Sequence, residues 1–216
     1  EGKAVLFKEY AGVDGFPICL RTQNTEEIIK IVRNISPVFG GINLEDIAAP
    51  RCFEIEERLQ DLGIPVFHDD QHGTAIVFMA ALFNAVELSG RRLSDLKVVI
   101  NGAGAAGTSI ANMLLCVGLA GENSEPVEDV IVCDSKGIIS RNRADIKDNR
   151  YKVKLSLVTN KHNREGGLAD AMEGADVFVG VSVAGAVSQA MVRSMNPKPL
   201  IFAMANPVHE IMPEEA

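Results

Sequence analysis

Lys97-Val98-Val99-Ile100-Asn101 is a short, largely β-branched run that ends directly in Gly102-Ala103-Gly104-Ala105-Ala106-Gly107, ahead of a helix-compatible stretch to about Val117. A strand turning tightly into a helix accommodates that order, so the chain is expected to contain a βα unit of the dinucleotide-binding kind. The first glycine permits the turn, the second lets backbone approach a pyrophosphate, and the third lets helix and strand pack closely. The free N–H groups at the helix start attract phosphate charge. Ala103, Ala105 and Ala106 are the small residues that such packing needs. A bare G-x-G-x-x-G is a weak signal, and Asp134 strengthens it, because an acid ending the next apolar run, Val130-Ile131-Val132-Cys133, accepts hydrogen bonds from a ribose. The interval exceeds the usual ~20 residues, and the polar segment from Gly121 to Glu128 accounts for the excess as a loop. Asp134 favours NAD by repelling a 2′-phosphate, while nearby Lys136 keeps NADP open.

The rest of the chain alternates in the same way. Strands are expected at Phe16–Leu20, Val38–Asn43, Ile64–Phe67, Asp176–Val179 and Leu200–Ala203. Helices are expected from Thr25, over Pro50–Leu62, from His72 to Leu88 and near Gly167–Glu173. The stretch from about Ser140 to Arg164 reads as polar and loop-rich. This order implies an α/β fold with parallel sheets and a Rossmann-type doubly wound dinucleotide-binding domain. The polar connection Arg91-Arg92-Leu93-Ser94-Asp95-Leu96 suggests a division into a metal- and substrate-binding portion, residues 1–91, and a nucleotide-binding domain, residues 92–216. The helix from His72 is too apolar for a surface helix and is expected at a domain or subunit interface. No uninterrupted apolar run reaches the roughly 20 residues of a membrane span. A net charge of −8 with scattered Lys and Arg argues against nucleic acid or an anionic membrane as partner. Cys19, Cys52, Cys116 and Cys133 lack C-x-x-C spacing and read as buried, reduced thiols of a cytoplasmic protein. Because the chain opens at Glu1 without Met and stops in what looks like a helix start, it reads as an interior piece of a longer polypeptide.

Two acidic pairs follow apolar runs. Glu45 and Asp46 come just after Gly40-Gly41-Ile42-Asn43-Leu44, and Asp69 and Asp70 lie in His68-Asp69-Asp70-Gln71-His72-Gly73-Thr74-Ala75. Acids gathered at the carboxyl ends of parallel strands suit a metal or proton-transfer site, whereas either pair alone is equally explained by helix capping or by a solvated loop. Three carboxylates without a partnered Cys suit a hard cation, Mg²⁺ or Mn²⁺. Neighbouring side chains tend to point apart, so one of Asp69 and Asp70 would face the metal and the other orient a base. His68 and His72 read as structural or helix-start residues.

These motifs, taken in order with Glu1-Gly2-Lys3-Ala4-Val5-Leu6-Phe7 at the start and Ala205-Asn206-Pro207 near the end, resemble the short, bacterial type of malic enzyme over almost the whole chain. The resemblance implies that Glu45, Asp46 and Asp70 bind the divalent cation, with Asp69 as a partner that orients Lys3, the general base. It also implies that Asn206 contacts substrate or nicotinamide and that Ser182 lies on a loop near the nicotinamide. The implied reaction is oxidative decarboxylation of L-malate to pyruvate with NAD or NADP, in a homodimer or higher homo-oligomer. The family's proton-donating tyrosine has no match here, since Tyr10 and Tyr151 lie outside its context, and the family's downstream Asn-rich segment is also missing. A non-catalytic nucleotide- and metal-binding module therefore stands as an alternative, as does a metal-free amino-acid or hydroxy-acid dehydrogenase.

Overall fold

Local preferences account for most elements of the computed structural model, which describes residues 2–118 and 125–216. Helix α1 (Gly2–Ala11) is followed by α2 (Thr25–Ile35). α2 starts where the Asn24 side chain accepts the Glu27 N–H at 3.1 Å, with Glu26 and Glu27 favoured in the first turn by the helix dipole. Its Ile28, Ile29 and Val32 recur at helical spacing and join Leu44, Ile55, Leu59 and Val66 in a small core. That core is built on a parallel pair, β1 (Ile42–Leu44) and β2 (Val66–His68), connected through α3 (Arg51–Leu59).

Past β2 the backbone makes a π-helical turn, Asp69–Gly73, and continues into α4 (Thr74–Ser89), which Gly90 ends in the left-handed conformation (φ 67). Residues 69–89 thus form a helical stretch of 21 residues, long and apolar enough by composition to cross a membrane. Its packing gives it another role. Ala75, Phe78, Met79 and Leu82 share one core with Val98, Ile100, Val130 and Val132 of the main sheet, and its first turn carries the acids Asp69 and Asp70. Ile76, Val77 and Phe83 remain exposed on its outer face.

The main sheet has five strands in the order β5-β4-β3-β6-β7: β3 (Lys97–Asn101), β4 (Asp129–Asp134), β5 (Gly137–Ile138), β6 (Val177–Gly180) and β7 (Leu200–Ala203). All pairings are parallel except that of the short edge strand β5 with β4. Alternation along the strands separates two cores. Val98 and Ile100 face α4 and α5 (Ala105–Leu114), whereas Val99 packs with Phe178, Cys133 and Met172 on the opposite face, beside α7 (Leu168–Met172).

Several expectations are corrected. Phe16–Leu20 forms no strand. Pro17 lacks an N–H, and Phe16 is 75% exposed. The second strand is shorter than Val38–Asn43, because Pro37 and Val38 belong to a 3₁₀ turn. The stretch read as loop-rich contains α6 (Arg150–Val158), started by Asn149, whose side chain accepts the Tyr151 and Lys152 N–H groups. Cys19 is exposed and Cys116 half-buried, so only Cys52 and Cys133 are the expected buried thiols. Part of the loop expected over Gly121–Glu128 lies outside the described residues. The last helix, α8 (Gln189–Arg193), is capped by Ser188.

The two faces of α4 should respond differently to truncation. Leu82 is fully buried and Leu88 is 89% exposed. Leu82→Ala should lower unfolding free energy by about 2–5 kcal/mol and Leu88→Ala by less than about 0.5 kcal/mol, as read by urea unfolding.

Candidate active site

The parallel register of β1 and β2 sets Leu44 opposite His68. The acids that follow each strand therefore emerge side by side, although they are remote in sequence. One carboxylate oxygen from each of Glu45, Asp69 and Asp70 lies within 4.8 Å of the others. Lys3, in the first turn of α1, points into this group, with Nζ 2.6 Å from Asp69 Oδ2 and 3.4 Å from Glu45 Oε1. The hydrogen bond to Asp69 holds the Lys3 pKa above its ordinary value against the opposing effect of burial, and the Glu45 charge adds to it. Gly73 leaves room for this arrangement, since a Cβ there would press on the Asp69 carboxylate.

Asp46, expected as a metal-binding carboxylate, contributes differently to the cluster. Its backbone is left-handed (φ 58), and its N–H donates to Asp70 Oδ2 at 2.9 Å. Among the described residues, the third carboxylate beside Glu45 and Asp70 is Asp69. His68 is fully buried with neither ring nitrogen hydrogen-bonded, and burial pushes its pKa down against the pull of Asp70. His72 ties the π turn to its surroundings, with Nε2 2.7 Å from Glu56 Oε1 of α3 and Nδ1 3.4 Å from Ser109 Oγ of α5.

The second half of the site lies where the main sheet reverses direction. From β3 the chain moves to β4 on one side and later to β6 on the other, which leaves a crevice beyond the carboxyl end of β3. Gly102 (φ 131) turns the chain there, and a Cβ on it would strike the Val181 carbonyl. A Cβ on Gly107 would overlap the Gly102 carbonyl oxygen, whereas Gly104 faces open space. Gly104 caps α5 without a side-chain hydrogen bond, so no cap side chain claims the first N–H groups of the helix, which Ala105 and Ala106 begin. The crevice is a pocket of about 560 Å³. Ala49, Pro50 and Phe53 line one side, and Gly102, Ala103, Gly104, Asp134, Tyr151, Lys152 and Ser182 line the other. Asn206, exposed just after β7, is not part of that lining.

Asp134, expected to be a free acceptor for ribose, is already engaged. Arg143 donates from Nη1 to Oδ1 at 2.8 Å and from Nη2 to Oδ2 at 3.1 Å, Lys152 Nζ donates to Oδ2 at 2.6 Å, and the Lys136 N–H donates to Oδ1 at 2.9 Å. Burial works to raise its pKa, and the hydrogen bonds from Arg143 and Lys152 outweigh it, holding the carboxyl below the usual range. The Lys136 ammonium pairs instead with Asp145 at 3.2 Å. Arg143 and Lys152 were not foreseen, because they lie in a segment of loop composition; the Asn149 cap is the sequence signal that marks the helix carrying Lys152. Also unforeseen was Glu210, a buried acid that accepts the Ser182 N–H at 3.0 Å. Ser182 Oγ in turn accepts from Asn101 Nδ2 at 2.7 Å.

Comparison with known proteins places this architecture. Residues 71–216 match the family model described as malic enzyme, NAD binding domain, and residues 1–60 match malic enzyme, N-terminal domain. The bifunctional malic/malolactic enzyme of Bacillus subtilis (strain 168) is 54% identical over 100% of this chain and 51% of its own length. The NAD-dependent malic enzyme of Geobacillus stearothermophilus is 52% identical over 100% of this chain and 43% of its own length. The chain thus spans about half the length of these relatives. The crystal structure of the NAD-dependent malic enzyme from Thermotoga maritima superposes with a TM-score of 0.91 at 47% identity, covering 99% of this chain and 55% of that one.

The Asp134 cluster predicts a pH signature. Its carboxyl is depressed in the folded state, so its stabilisation is complete above the unfolded value and is lost as pH falls through the folded one. Asp134→Asn should cost about 1–3 kcal/mol at pH 7. The gap between the two urea midpoints should begin to narrow below about pH 4, where the unfolded carboxyl binds its proton, and should close once pH falls below the depressed folded value.

Proposed function

Because this chain belongs to the malic enzyme family, we propose that it serves the oxidative decarboxylation of L-malate to pyruvate and CO₂, with NAD or NADP as hydride acceptor and Mg²⁺ or Mn²⁺ as the cation. The observation that carries this reading is the shared pocket. Ala49, Pro50 and Phe53, which follow the Glu45-Asp46 step, form one wall of the cavity whose other wall is the glycine turn after β3. The segment that follows the acidic step therefore reaches the nucleotide crevice.

The donor set fits a hard divalent cation. Three carboxylates converge without a thiol or imidazole among them, and they have drawn the Lys3 ammonium in as counter-charge. Glu45 and Asp70 would hold the ion, with Asp46 as the further carboxylate implied by the family resemblance. When bound, the cation supplies Lewis-acid polarisation of the malate C2 oxygen, relief of the charge that develops as the C4 carboxylate leaves, and a downward push on the Lys3 pKa. Lys3 takes the C2 hydroxyl proton as general base, and Asp69 keeps its Nζ aimed.

The glycine turn and the start of α5, residues Gly102 to Gly107, receive the pyrophosphate. Ser182 and Asn206, beyond the carboxyl ends of β6 and β7, serve the nicotinamide end. Asp134 closes the ribose end together with Arg143 and Lys152, a mixed set in which the acid disfavours a 2′-phosphate and the cations favour one, so both nucleotides remain accommodated. Residues 1–91 would then carry metal and substrate and residues 92–216 the nucleotide, joined through the core that α4 shares with the sheet. A cytoplasmic homodimer or higher homo-oligomer suits the exposed apolar face of α4.

With the full-length protein, L-malate and Mn²⁺ should reduce NAD⁺ or NADP⁺ with one pyruvate formed per nucleotide reduced. Turnover that persists unchanged in excess chelator would remove the metal assignment. Asp70→Asn should lower kcat by more than the ~10–100-fold typical of losing a group that only orients a ligand, with NADH binding retained. Parallel loss of NADH binding would point to a folding defect instead.

A further inference from the structure

Glu210 is fully buried (0% exposed), and it joins two loops. Oε1 accepts the N–H of Ser182, just beyond β6, at 3.0 Å, and Oε2 accepts the N–H of Ala205, just beyond β7, also at 3.0 Å. Its main chain extends the connection. The Val187 N–H donates to the Glu210 carbonyl at 3.0 Å, and the Gly185 N–H donates to the His209 carbonyl at 3.0 Å. His209 Nδ1 lies 3.1 Å from the Ala205 carbonyl. β6 and β7 pair only as far as Gly180 and Ala203, so the chain beyond each strand has lost the ladder that kept the two in register. One carboxylate restores a cross-link there.

Room for that carboxylate is built in. A Cβ on Gly180 would overlap the Glu210 carboxyl group, so glycine is required where β6 ends. The chemistry also calls for an acid with this reach. Both oxygens meet backbone N–H donors, so a glutamine amide would set its own NH₂ against one of them, and an aspartate would fall short by a methylene.

We propose that Glu210 is a positioning residue whose buried carboxylate locks the segments after β6 and β7 into one wall, setting Ser182 and Asn206 against the nicotinamide end of the dinucleotide. This rests on the nucleotide-binding reading above and adds to it a group outside the glycine turn. The adenosine diphosphate half is held by Gly102–Gly104 and Asp134, on other elements, so the effect of Glu210 falls on one end of the ligand.

The test compares NADH, which has a nicotinamide, with ADP-ribose, which lacks it, on the full-length protein. Glu210→Gln should weaken NADH about tenfold, the scale of one hydrogen bond to a charged group, and leave ADP-ribose affinity unchanged. In malate oxidation kcat should fall while KM for malate holds. Gly180→Ala, which keeps the glutamate but takes its space, should reproduce the pattern. Unchanged affinity for both ligands in both variants would overturn the proposal, and so would equal loss of both, which marks a general scaffold role. Wild-type protein that binds neither ligand would overturn the nucleotide reading itself.

Discussion

The functional half of this fold depends on a place where no side chain can be. At the carboxyl end of β3, the Gly102 carbonyl approaches the Gly107 backbone while Gly102 itself lies against the Val181 carbonyl, so a Cβ on either glycine would collide with main chain. That contact brings the start of α5 up against the end of β3 and holds the segment after β6 beside it. The crevice, the position of the helix N-terminus and the approach of Ser182 all follow from it. Backbone cannot give way as a flexible side chain can, which is why the requirement falls on glycine.

Charge is arranged around this frame in two opposed ways. At the strand ends of the small sheet, carboxylates outnumber the one lysine among them, leaving a field that draws in positive charge. At the end of β4 the balance is reversed, with Arg143, Lys152 and Lys136 set against the carboxylates of Asp134 and Asp145. The acid that looks like a ligand in the sequence therefore works first as an anchor for its own cations. Its oxygens are occupied, and what it presents to the pocket is an ordered cationic edge.

The sequence made legible what is local. The strand, glycine turn and helix at Lys97–Leu114 can be read because the apolar run, the glycine spacing and the helix follow one another directly in the chain. Other parts depend on register or on remote partners. Glu45 and Asp69 meet because Leu44 pairs with His68, and no feature of either segment announces that pairing. The left-handed turn that aims the Asp46 N–H at Asp70 is a backbone event of the same kind. The roles of Arg143 and Lys152 appear only when they converge on the end of β4, and that of Glu210 only when β6 and β7 lie side by side. Phe16–Leu20 is the complementary case: a β-like composition becomes a strand only where it pairs, and this segment pairs with none of the described strands.

The pocket wall runs from Ala49 to Ala186 and draws on the start of α3, the glycine turn, β4, α6 and the segment after β6. No short contiguous fragment of the chain contains it. Its assembly brings together segments far apart in sequence, so the entropy of closing long loops is spent before the pocket exists. Ligand binding in such a pocket serves as a gauge of complete folding. A nucleotide that binds only the finished crevice favours the native state over every partly folded one, so the chain's stability in a cell becomes linked to the supply of its own ligand.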